Sequence, residues 1–83
     1  MNSIEDYSYF DNRCRVLQSL IANATLVYGY GREYPEFLAM VQWSIKFEYA
    51  RIKGTEDVGA IFNEYERAVL NFVVALTGNL LVE

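Results

Sequence analysis

Eighty-three residues carrying 7 basic and 11 acidic side chains, a net charge of −4 and no histidine make one small acidic domain, residues 1–83. A chain that is 53% apolar and 16% aromatic has enough hydrophobic surface to fold, which excludes disorder. The charge balance argues against nucleic acid, whose phosphates call for a clustered cationic surface.

The single cysteine, Cys14, cannot close an internal disulfide and can supply only one thiolate ligand, which points to a reducing compartment. The opening residues Met1 to Asp6 are acidic where a secretory leader would be basic. The longest apolar run, Phe72 to Leu76, is far short of the ~20 residues that span a bilayer. The expectation is a cytoplasmic protein with no membrane contact.

The first periodic segment covers about residues 4–28. Tyr7, Phe10, Cys14, Leu17, Ile21, Ala24 and Tyr28 recur at spacings of three and four, which predicts a helix of six turns with one apolar face. Ser3 followed by Asp6 resembles a weak capping box. Gly29-Tyr30-Gly31 then breaks the pattern. This G-x-G follows a helix rather than a strand and has no third glycine, so it reads as a chain turn and not as a nucleotide loop.

The second segment covers 35–53. Pro35 suits a first helical turn, where its missing N–H costs nothing. Arg51 and Lys53 complement the negative end of the helix dipole, and Gly54 is a natural C-terminal cap. On a helical wheel Phe37, Leu38, Val41, Ile45, Tyr49 and Ile52 share an arc of about 120°, the expected core face. Met40, Trp43 and Phe47 form a second ridge roughly opposite. A helix in a three-helix bundle needs no apolar far face, so this ridge is predicted to be an association surface.

The third segment covers 55–77. Thr55 can cap it, and Glu56 and Asp57 lie at its positive end. Val58, Ile61, Phe62, Tyr65, Val69, Phe72, Val73 and Leu76 form its stripe, and Ala68 to Leu76 reads as buried nearly all round. Gly78 is taken as the terminator, leaving Leu80, Leu81 and Val82 as a tail able to fold back on the bundle.

No segment alternates with period two. Short connections between three helices predict an all-α, antiparallel three-helix bundle, completed by oligomerisation because so short a chain buries only a modest core. A helical hairpin that dimerises is the variant. No catalytic or metal site is predicted: Cys14 has no histidine to activate it, and Glu48 is one carboxylate beside Arg51. No cofactor is implied.

Tyrosine, with seven copies, is the unusual residue. Tyr30 and Tyr34 flank Arg32 and Glu33 in the first connection, where large rings with a polar tip suit an interface. The predicted partner-binding residues are therefore Met40, Trp43, Phe47, Tyr30, Arg32, Glu33 and Tyr34. The expected function is a non-enzymatic protein-binding module, an acidic inhibitor or immunity-type protein that sterically blocks a basic partner. The alternatives are an assembly subunit forming a helical homo-oligomer and a small-molecule binder with a tyrosine-lined pocket between protomers.

Overall fold

A computed structural model describes the backbone of residues 3–54 and 57–81 and the side chains of 8–54 and 57–78. Helix α1 spans Ser3–Tyr28, α2 spans Pro35–Lys53 and α3 spans Val58–Leu81. No strand occurs among the described residues. Thr55, Glu56 and Val82, and the side chains of Ser3, Asp6, Tyr7, Leu80 and Leu81, lie outside what is described, so the expectations for them are not carried further.

Local chemistry sets the breaks. The Gly29 N–H still donates to the Thr25 carbonyl at 2.9 Å, but Gly29 itself has φ 91°, which ends α1. Tyr34 is extended (φ −81°, ψ 139°), the conformation forced on a residue that precedes proline, and Pro35 opens α2. Gly54 is left-handed (φ 70°) and its N–H donates to the carbonyls of Ala50 and Arg51, which closes α2. Gly78 does not end α3. The helix runs through it to Leu81, so the C-terminal apolar residues up to Leu81 prolong the axis instead of folding back. Glycine inside a helix costs only about 1 kcal/mol, and the turns on either side carry that here.

Cross-chain pairs give the topology. Phe47 lies 5.1 Å from Phe62, and Phe37 lies 5.7 Å from Phe72, ring centre to ring centre, so α2 and α3 are antiparallel. Arg13 pairs with Glu66 and Phe10 packs on Phe62, so α1 runs parallel to α3. Asp11 meets Arg51 at 2.8 Å, which ties the start of α1 to the end of α2. Helix α3 is the shared element. Among the described residues no Cα of α1 comes within 8 Å of one in α2.

The core follows the predicted stripes of α1 and α3, except at Tyr28, which ends the α1 stripe in solvent. Phe10, Leu17 and Ala24 are buried from α1, and Phe62, Tyr65, Val69, Phe72 and Leu76 from α3. Leu70 and Val74 are exposed, so the later part of α3 is not buried all round as expected.

Helix α2 is turned over relative to its prediction. Phe47 is 1% exposed and Met40 7%, whereas Ile45 is 63% exposed and Ile52 81%. Leu38 and Tyr49 are also in solvent. The reason lies in what the neighbours offer. Phe10, Phe62 and Tyr65 converge at one level of the bundle, and Phe47 completes the cluster by stacking on Tyr65 (6.0 Å, 4° between planes). Buried Ala50, one turn on, presents only a methyl group and lets the neighbouring helix approach. The branched arc of Leu38, Ile45 and Ile52 is left facing out.

Candidate functional site

The predicted partner-binding residues separate into two groups. Met40 and Phe47 are core, and Trp43 is half-buried against the same cluster. The Lys46 ammonium lies 4.4 Å from the Trp43 ring centre and covers its face. Trp43 also lines a small cleft of about 110 Å³ between α2 and α3, with Glu36, Glu64 and Arg67 at its walls. The ridge predicted to meet a partner is therefore an inner face of the molecule, filled by its own chain.

The first connection behaves differently. Tyr30 is 65% exposed, and the Arg32 guanidinium sits 5.2 Å from its ring centre. Glu33 is exposed. Tyr34, by contrast, packs against the core beside Gly31 and serves as a plug. Gly31 has φ 61° and lies so close to α3 that a Cβ there would stand 2.7 Å from Leu76 Cδ2. The connection is pinned to the end of α3 at Gly31, and this leaves Tyr30 directed away from the core.

Two apolar surfaces were not foreseen. The last turn of α1 exposes Leu26 (84%), Val27 and Tyr28, continuous in sequence with Tyr30. An open groove of about 440 Å³ is lined there by Ala22, Thr25, Leu26 and Tyr30. The second surface is the outer face of α2, where Leu38, Ile45, Tyr49 and Ile52 fall within about 60° on the wheel. It borders a groove of about 430 Å³ toward α3, lined by Ile45, Tyr49 and Ile61. The signal for it was the seven-residue repeat 38, 45, 52, assigned above to the core.

Chemistry-bearing groups are few. Burial pushes the Cys14 thiol above its ordinary value near 9.0, with Arg51 opposing and Glu48 and Asp11 adding to the rise. Burial also raises Tyr65 above 10.0, reinforced by Cys14 and Glu48. Both groups stay protonated at neutral pH, the opposite of what a nucleophile requires. Among the described residues no three His, Cys, Asp or Glu side chains come together to hold a metal ion. No described helix is long and apolar enough to cross a membrane.

No family model matches the chain, and neither a curated protein nor a solved structure gives a significant match.

Proposed function

We propose that this chain is a non-enzymatic protein-binding module, an acidic inhibitor or immunity-type protein that acts by covering a site on a partner protein. The observation that supports this is the open groove that exposed Leu26 and Tyr30 line together, beside exposed Arg32 and Glu33. An amphipathic tyrosine in an apolar patch with a polar rim is the usual composition of a binding hot spot. The net charge of −4 steers such a surface toward a basic partner.

The test is photo-crosslinking from position 30 in the native host, followed by titration of the captured protein with purified variants. Tyr30→Ala should weaken binding by roughly 30-fold, a hot-spot loss of about 2 kcal/mol, at unchanged melting temperature. Tyr34→Ala should lower the melting temperature instead. Unchanged affinity of Tyr30→Ala for the captured protein would sink the reading.

A second reading, an assembly subunit that forms a helical homo-oligomer, is favoured by one separate observation: the apolar stripe on the outer face of α2.

A further inference from the structure

Resting on that second reading, we infer that the outer face of α2 is the seam of a parallel two-stranded coiled coil with α2 of a second copy. The stripe has coiled-coil spacing. Leu38, Gln42, Ile45, Tyr49 and Ile52 are separated by 4, 3, 4 and 3 residues, which makes Leu38, Ile45 and Ile52 the d positions and Gln42 and Tyr49 the a positions. All five are exposed. Phe47, at the centre of the protein's own core, lies on the opposite side of the helix, so the stripe faces away from that core, with Ile61 of α3 beside Ile45 and Tyr49 at one edge.

The charges select both the occupant and its direction. In this register Glu48 is a g position and Lys46 and Lys53 are e positions. A parallel mate sets each g residue beside the e residue five places on, so Glu48 of each copy meets Lys53 of the other. The pairing is self-complementary and forms twice. In its own chain Glu48 makes a long 3.9 Å contact with Arg51, the Lys53 ammonium lies 5.6 Å from the Tyr49 ring centre, and both Glu48 and Lys53 are exposed. Gln42 then meets its own counterpart, amide to amide. A polar a position, best attested for Asn or Lys, fixes register in parallel pairs, and an amide-to-amide Gln42 layer would act in the same way. An antiparallel mate would instead put Lys46 and Lys53 of both copies on one flank and face Gln42 with apolar side chains. The seam is only about four turns long, so the dimer is expected to be weak and to form with rising protein concentration.

The experiment combines sedimentation equilibrium with disulfide trapping in the full chain. Wild type should dimerise with concentration, and Ile45→Glu should be a helical monomer. Glu48→Lys and Lys53→Glu should each weaken the dimer at least tenfold, and the double exchange should restore it. In a Cys14→Ser background, Ile52→Cys should form the 52–52 disulfide in a glutathione buffer. A wild-type monomer at 0.5 mM would overturn both the seam and the assembly reading. A dimer that traps Leu38→Cys against Ile52→Cys, or one that Ile45→Glu leaves intact, would overturn the parallel seam alone.

Discussion

Phe47 is the side chain on which the orientation of α2 turns. Its ring contacts Phe10, Phe62 and Tyr65 with centre-to-centre distances between 5.1 and 6.0 Å, and it is 1% exposed. Truncation to alanine removes a whole buried ring at the point where all three helices meet. Substitutions of this type cost about 3–5 kcal/mol, transfer and cavity together. At ~0.05–0.15 kcal/mol per residue the whole domain is worth about 4–12 kcal/mol, so Phe47→Ala should remove a quarter of the stability or more. Phe47→Leu keeps part of the volume and should cost about 1–2 kcal/mol, which keeps the measurement possible if the alanine variant does not fold. Ile45, two residues away, projects into solvent, and Ile45→Ala should change stability by less than ~0.5 kcal/mol when measured dilute. Urea unfolding followed by circular dichroism at low micromolar concentration reads all three. If Ile45→Ala is the costly variant and Phe47→Leu is neutral, α2 presents the opposite face to the core and the packing described above is wrong.

Gly31→Ala should destabilise by about 2–3 kcal/mol, because a left-handed φ of 61° and a Cβ 2.7 Å from Leu76 act together. Gly54→Ala, with a similar φ but open space around it, should cost only about 1 kcal/mol in the same urea assay. For pH, Cys14 and Tyr65 have folded values raised above 9.0 and 10.0 by burial, so folding favours their neutral forms. Their contribution is fully present below pH 9 and is lost as pH rises through the folded values. The melting temperature should fall as pH rises above 9, and the Cys14→Ala, Tyr65→Phe double variant should flatten that fall.

The helices were legible because their punctuation is chemical. Pro35, Gly54 and Gly29 act through φ and missing donors, which are local properties. The core faces of α1 and α3 were legible because each has one continuous apolar stripe. Helix α2 has two, and polar residues interrupt both: Gln42 and Glu48 on one side, Ser44 and Arg51 on the other. Periodicity cannot choose between them. The choice was made by the partners, since only the Phe47 face fits the rings of Phe10, Phe62 and Tyr65. The available hint was size rather than hydrophobicity: Ala39 and Ala50 flank Trp43 and Phe47, a small-beside-large arrangement that suits close packing. The same ambiguity decides where the candidate site residues lie: Met40 and Phe47 face inward with their stripe, whereas Tyr30, fixed by the local turn, faces out. The extent of α3 was misjudged because Gly78 was read as a stop, although a glycine stops a helix only where its φ turns positive, and among the described residues that occurs only at Gly29, Gly31 and Gly54.

The central position of α3 makes the three helices unequal in folding. The α2–α3 pair closes over a connection of a few residues and can bring Phe47 onto Phe62 early, at small loop entropy, before Phe37 meets Phe72 at the far end. Helix α1 has no backbone neighbour in α2 among the described residues and so docks mainly on a surface that this hairpin has already built. The hairpin can therefore outlive the undocking of α1, while α1 loses its backbone neighbours once α3 melts and keeps side-chain contacts with α2 such as Phe10 on Phe47. Any partner that grips the end of α1 through Leu26 and Tyr30 holds the last element to arrive and the first to leave.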